Sequence, residues 1–263
     1  MTNLAVLIPV YRNQRGLERS LESLKAAAGA PDVVVVDDGS PQPIYAPSEF
    51  RGSINISIFR LEMNRGIAAA LNHGLRHILG RGYSYVGRLD AGDVVRLDRF
   101  TQQVGFLDSH PECAVVSSFV EFVDATQRPL FRYSGPHEQS RVRRALHLNN
   151  CIMHPGATIR ARVFRESGLY REDVLGAEDY ELFLRMSRDH ILAVLPEVLT
   201  YCEYSPSGLS VAGRRRQQKT RLKLQLRYFD PASPYSFLGV ARTLLAMLAP
   251  QAAVFRFKRA HMH

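Results

Sequence analysis

The segment YVGRLDAGDVVR, residues 85–96, carries two carboxylates, Asp90 and Asp93, at the end of a run with the composition of a buried strand. Ala91 and Gly92 lie between them, so the turn is poor in side-chain bulk and a ligand can approach its backbone closely. In open parallel sheets, ligands bind beyond the carboxyl ends of the strands. An acid-bearing strand end is therefore the place to look for chemistry.

Outward from this segment, short β-branched runs alternate with helical patterns. LAVLIPV from Leu4, VVVVD from Val33, INISIFR from Ile54, YSYVGRL from Tyr83 and AVVSSFV from Ala114 read as strands. Leu17, Leu21 and Leu24 recur at helical spacing, as do Ile67, Leu71, Leu75 and Ile78, and then Leu97, Phe100, Val104 and Leu107. Such stripes are core-facing and need no functional explanation. The expected class is α/β, with a mostly parallel central sheet flanked by helices. The rhythm weakens after about residue 125, which divides the chain into three regions: 1–125, 126–212, and a basic then apolar helical tail at 213–263.

The 263 residues suffice for a real core. Lys and Arg number 34 against 25 Asp and Glu, a formal charge of +9 that favours anionic partners without choosing among them. Cys113, Cys151 and Cys202 are widely spaced and odd in number, which reads as reduced thiols and not a zinc site. MTNLAVLIPVYRN lacks a signal peptide's basic start and long apolar core, so a cytoplasmic location is expected. The stretch from Phe237 is apolar but interrupted by Arg242 and Pro250, and Arg256, Lys258 and Arg259 follow. It is expected to lie in a membrane interface without spanning it, placing the protein peripherally on the inner face of the cell membrane.

Two common nucleotide folds are disfavoured, because PVYRNQRG follows the first strand where GxGxxG would stand, and no P-loop occurs. The strand ends carry acids and glycines instead: Pro9, Tyr11 and Arg12, then DDGS (37–40), then EMNRG (62–66), then LDAGD (89–93). Carboxylates there can accept from a base or ribose, or hold a divalent cation against a diphosphate. Asn64 and Gly66, opening a helix, can offer free N–H groups to phosphate. Farther on, AEDYELFLRM sets Glu178 and Asp179 at a helix start, where the macrodipole alone favours acids.

VLIPVYRN, VVVVDDGS, NRGIAAALNHGL, RLDAGD, HPGATIRARVFRESGLY and AEDYELFLRM, in that order, resemble the inverting nucleotide-sugar glycosyltransferases of family 2, which have the GT-A fold. The resemblance covers roughly residues 4–210. It implies that Pro9, Tyr11, Arg12 and Asp38 meet the nucleotide base, that Asn64, Gly66 and Asp90 meet the ribose and diphosphate, and that Asp93 with Asp90 holds Mn2+ or Mg2+. It also implies that Asp179 is the general base, with His154 and Glu178 at the acceptor. Gly92 departs from the family's usual Asp-Ala-Asp-Asp, and Arg12 stands where Asn is frequent.

The implied partners are a UDP- or dTDP-sugar donor, a glycan or lipid-linked acceptor in surface polysaccharide or lipopolysaccharide synthesis, and a peripheral membrane surface, with no nucleic acid. Processive synthesis is disfavoured, since the Gln-x-x-Arg-Trp motif is absent and the chain has no Trp. The rival readings are a non-catalytic nucleotide-binding or scaffold protein that keeps the pocket, and a nucleotidyltransferase, for which PVYRNQRG is a poor phosphate loop.

Overall fold

The computed structural model describes residues 3–29, 31–50, 52–204 and 214–248. Strand β1 (Leu4–Val10) alternates in the period of a sheet covered on both faces: Ala5 and Leu7 enter one core, while Leu4, Val6, Ile8 and Val10 enter the other. It pairs in parallel with β2 (Asp32–Asp37) and β4 (Tyr85–Arg88), and β2 pairs in parallel with β3 (Ile56–Arg60).

The connections are helical. In α1 (Gln14–Ala26) the Asn13 side chain caps the start by accepting from the Gly16 N–H at 3.0 Å. Leu17, Leu21 and Leu24 are fully buried beneath it. Helix α2 (Ile67–Gly80) buries Leu71, Leu75 and Ile78 on the opposite face of the sheet. Helix α3 (Arg99–Ser109) returns to the α1 side with Phe100, Val104 and Leu107. Leu97, expected in that stripe, is 58% exposed because the helix begins two residues after it.

The second half extends the same sheet. Strands β5 (Val94–Val95), β6 (Cys113–Val123), β8 (Thr158–Arg160) and β9 (Ile191–Glu203) complete the order β3-β2-β1-β4-β8-β6-β9-β5, and β7 (Pro129–Tyr133) pairs with β6 off this path. The pairs β4–β8, β6–β8, β5–β9 and β6–β7 are antiparallel, whereas β6–β9 is parallel. The long β9 has no counterpart in the sequence reading. Pro196 and Glu197 interrupt its apolar pattern, and its pairing with β6 shifts register near them, between Ser118 and Val120.

Helices α4 (Gln139–Leu148), α5 (Ala161–Ser167) and α6 (Glu178–Met186) close the α2 face, with Val142, Leu146, Phe164 and Phe183 in its core. Helices α7 (Arg214–Arg227) and α8 (Pro234–Leu248) follow. Among the described residues no helix is long and apolar enough to cross a membrane. Pro250, Arg256, Lys258 and Arg259 lie outside the described residues.

Candidate active site

Three strand ends meet on one edge of the sheet. After β1 the backbone turns at Arg12, whose φ is 56°, and its N–H donates to the Ser40 hydroxyl at 2.9 Å. The Arg12 guanidinium lies 5.0 Å from the centre of the Tyr11 ring, and Tyr11 is 41% exposed. Pro9 is partly buried inside β1.

After β2 the two acids of DDGS diverge. Asp37 is fully buried and its carboxylate folds the following loop, accepting from the N–H groups of Ser40 (2.9 Å) and Ile44 (3.2 Å). Asp38 instead reaches the start of α2, where its two oxygens accept from the N–H groups of Arg65 (2.8 Å) and Gly66 (2.9 Å). The Gly66 N–H expected to await a phosphate is therefore held by Asp38. Burial raises the Asp38 carboxyl above its ordinary range, opposed by those two N–H groups. Asn64 is exposed beside this contact. Gly39 has no room for a side chain, since a Cβ there would lie 2.3 Å from the Met63 carbonyl carbon, and its φ is +67°.

After β4, the LDAGD turn is tied to α1: Asn13 Nδ2 donates to the Ala91 carbonyl at 2.8 Å, Ser20 Oγ accepts from the Gly92 N–H at 3.0 Å, and Ser20 Oγ donates to the Asp93 carbonyl at 2.8 Å. Its two carboxylates are not equivalent. The Asp90 side chain is 44% exposed and pairs with the buried Arg88 guanidinium. Asp93 is turned inward, 5% exposed, and accepts from the Glu203 N–H at 3.0 Å. Burial and the nearby Asp90 push its carboxyl far above the usual range.

Of the two carboxylates expected beside an ion, Asp90 is the one open to solvent, and Asp93 lies beneath the turn on the Glu203 N–H. Among the described residues no group of three or more His, Cys, Asp or Glu converges as a metal cage. The set still fits a divalent cation of the kind held by one carboxylate together with substrate phosphates, with Asp90 as that carboxylate.

Glu178 and Asp179 open α6. The Asp179 carboxylate accepts from the Asn150 side-chain amide at 2.8 Å and from the Tyr180 N–H at 2.7 Å. Burial first, and the Glu178 charge second, raise the Asp179 carboxyl to about 7. Glu178 is raised as well, mainly by burial. The Asp90 charge acts on both, so the strand-end acids and the helix start are electrostatic neighbours.

Helix α6 is held from three sides: Tyr180 Oη donates to the Leu146 carbonyl at 2.5 Å, Arg185 donates to the Leu169 carbonyl at 2.8 Å, and Tyr228 Oη donates to Glu181 at 2.6 Å. The loop before it is clasped by Asn72, which donates to the Tyr170 carbonyl and accepts from the Tyr170 N–H, both at 2.9 Å. His154 is 7% exposed, with Nε2 2.7 Å from Tyr170 Oη. It backs this loop through that contact. Burial lowers its imidazole, so it is neutral at pH 7.

Asn150, Arg88 and Asn72 were not singled out in the sequence. Asn150 lies in LNNCIM without a spacing signal, and Arg88 precedes the acid turn as one basic residue among 34 Lys and Arg.

The glycosyl transferase family 2 model matches residues 5–168, the span from β1 through α5 that builds all three strand ends. The chain belongs to this family. The amylovoran biosynthesis glycosyltransferase AmsE of Erwinia amylovora is 30% identical over 238 residues, covering 85% of this chain and 86% of that protein. An Escherichia coli UDP-Gal:alpha-D-GlcNAc-diphosphoundecaprenol beta-1,3-galactosyltransferase is 26% identical over 195 residues, 69% of this chain and 66% of that one.

Solved structures agree on the GT-A fold of this family 2 glycosyltransferase. S. aureus TarS 1-349 in complex with UDP-GlcNAc superposes with a TM-score of 0.68 at 18% identity, over 92% of this chain and 71% of that one. The mannosyltransferase PcManGT from Pyrobaculum calidifontis, in complex with GDP-Man and Mn2+, superposes with a TM-score of 0.65 at 18% identity, over 98% and 75%.

Proposed function

We propose that this family 2 glycosyltransferase moves a hexosyl or deoxyhexosyl group, with inversion, from a UDP- or dTDP-sugar to a hydroxyl of a lipid-linked or glycan acceptor. The process is surface polysaccharide or lipopolysaccharide assembly at the cytoplasmic face of the cell membrane. The observation that carries the reading is Asp179: a carboxyl at a helix start, held by the Asn150 amide, raised by burial to about 7 and within reach of the Asp90 charge. A general base works best with a pKa near the working pH. The activities for which the relatives are named, amylovoran biosynthesis and galactosyl transfer to a diphosphoundecaprenol-linked sugar, support the acceptor class.

In this reading Asp179 takes the proton of the acceptor hydroxyl as that oxygen bonds to the anomeric carbon. The bond from that carbon to the diphosphate oxygen breaks, and its electron pair leaves on the nucleoside diphosphate. Pro9, Tyr11, Arg12 and Asp38 border the base and ribose, with Asp38 acting also through the loop it clamps at Arg65 and Gly66. Glu178 borders the acceptor and raises Asp179. A divalent cation, Mn2+ or Mg2+, when bound beside Asp90, supplies positive charge to the departing diphosphate.

The test is a thermal-shift screen of nucleotide sugars with and without Mn2+, followed by transfer to lipid-linked acceptors, since a ligand of the folded state raises apparent stability by mass action. Stabilisation by one donor together with transfer supports the reading. Donor binding without any transfer or hydrolysis hands the chain to the scaffold alternative.

A further inference from the structure

Helix α8 is built inside out. Its buried positions are Ser236, Gly239 and Thr243, spaced three and four residues apart along one face. Gly239 lies so close to α4 that a Cβ would stand 2.0 Å from the His147 carbonyl oxygen. Ser236 Oγ is 3.1 Å from His147 Nδ1, and Gln218 of α7 donates to the Ala246 carbonyl at 3.3 Å.

The apolar side chains point the other way. Phe237, Leu238, Leu244, Leu245 and Leu248 are between 46% and 82% exposed. They fall on the helix face opposite Ser236, Gly239 and Thr243. A helix packed on a water-facing domain turns its apolar stripe to the core, so this reversal leaves a contiguous patch that marks an interaction surface.

Charge selects the occupant. Helices α4, α7 and α8 together hold 11 of the chain's 34 Lys and Arg and none of its 25 Asp and Glu. Without them the balance of the chain turns slightly acidic. Arg143, Arg144, Lys219, Lys223, Arg227 and Arg242 are exposed, Arg144 lies 5.9 Å from the Tyr235 ring at the start of α8, and Arg242 projects from α8 itself. A second copy meeting this face about a two-fold axis would oppose these cations with no acid on the three helices to answer them. A bilayer containing anionic lipid answers both features, taking the leucines below its headgroups and the cations among its phosphates.

We propose that the outward face of α8, flanked by the cations of α4 and α7, docks the protein on an anionic lipid bilayer. Gln225 donates to the carbonyls of His147 (3.3 Å) and Leu148 (3.2 Å), two residues before Asn150, which holds Asp179. On the functional reading above, on which this consequence alone rests, docking therefore connects the membrane-facing helices to the segment that holds the base.

The test is sedimentation of the full chain with vesicles of phosphatidylcholine alone and of phosphatidylcholine mixed with phosphatidylglycerol. The variants are Leu244→Glu with Leu245→Glu, the milder Leu245→Gln, and Lys219→Glu with Lys223→Glu, each checked for an unchanged melting temperature. The proposal expects binding about tenfold stronger to the anionic vesicles, and a loss of about tenfold or more in the double leucine and double lysine variants, with a smaller loss for Leu245→Gln. Equal binding to both vesicle types, undiminished binding of the leucine variants, or no vesicle binding by a dimer that Leu245→Gln dissociates would overturn it. None of these readouts uses transfer activity, so their failure leaves the assignment of Asp179 untouched.

Discussion

Asn150 donates its side-chain amide to the Asp179 carboxylate across 2.8 Å, and in doing so opposes the burial and the Glu178 charge that raise that carboxyl to about 7. The bond favours the ionised form, the form a base needs. Asn150→Leu therefore moves the acidic limb of the pH–rate profile upward. A hydrogen bond to a charged group contributes about 1.5–3 kcal/mol, which corresponds to roughly 1–2 pH units. Unaltered limbs with a uniformly lower rate would make Asn150 a packing residue.

The same raised carboxyl has a cost in stability. Unfolded, Asp179 loses its proton near its ordinary value of 3.8; folded, it keeps it until about 7. The folded state thus binds the proton more tightly, and this residue's contribution falls as pH rises from about 4 to about 7. Asp179→Asn should leave the melting temperature nearly unchanged at pH 4 and raise it at pH 8, by roughly 2–4 °C for each kcal/mol regained. Differential scanning calorimetry at the two pH values reads this directly. A lower melting temperature at both would mean that the carboxylate holds the start of α6 in place.

Asp38 is the clamp between β2 and α2, and its loss should be read on α2. In Asp38→Ala the Arg65 and Gly66 N–H groups lose their acceptor, at a cost of about 1–3 kcal/mol. Hydrogen exchange at residues 65–67 accelerates and donor affinity falls with it. Weakened donor binding with unchanged exchange would place Asp38 on the nucleotide alone.

Gly92 stands where the family's usual motif has a third acid, yet restoring it does not rebuild an ion site. Its φ is +115°, and a Cβ there lies 3.1 Å from Glu203 Oε2, which pairs with Arg19 at 2.5 Å. Gly92→Asp therefore adds backbone strain of about 1–3 kcal/mol and sets two carboxylates side by side. Chemical denaturation should show the loss, and Mn2+ titration in the presence of UDP should show no tighter binding. Tighter Mn2+ binding at undiminished stability would contradict this geometry.

The strands β1, β2 and β4 were legible because both faces of each are covered, so the runs are continuously apolar and end abruptly in acids. The leucine stripe of α1 was legible for the matching reason, one face buried and one wet. Strand β9 was hidden by Pro196 and Glu197, and β5 and β8 by lengths of two and three residues. In the site, Asp90 and Asp179 could be located from their strand-end and helix-start positions. Which acid of a pair stays open to solvent could not: Asp93 turns inward onto the N–H of Glu203, 110 residues away in sequence. Asn150 is 29 residues from Asp179, and only the packing of α4 against α6 makes them neighbours.

The central claim is tested most directly by the transfer rate of Asp179→Asn at pH 8, measured with saturating donor and a lipid-linked acceptor, beside the donor dissociation constant of the same protein. The account predicts a rate lower by about 10²- to 10⁴-fold with donor affinity unchanged, because the lost group acts on the acceptor proton alone. Near-normal transfer, or a loss carried entirely by donor affinity, would contradict it.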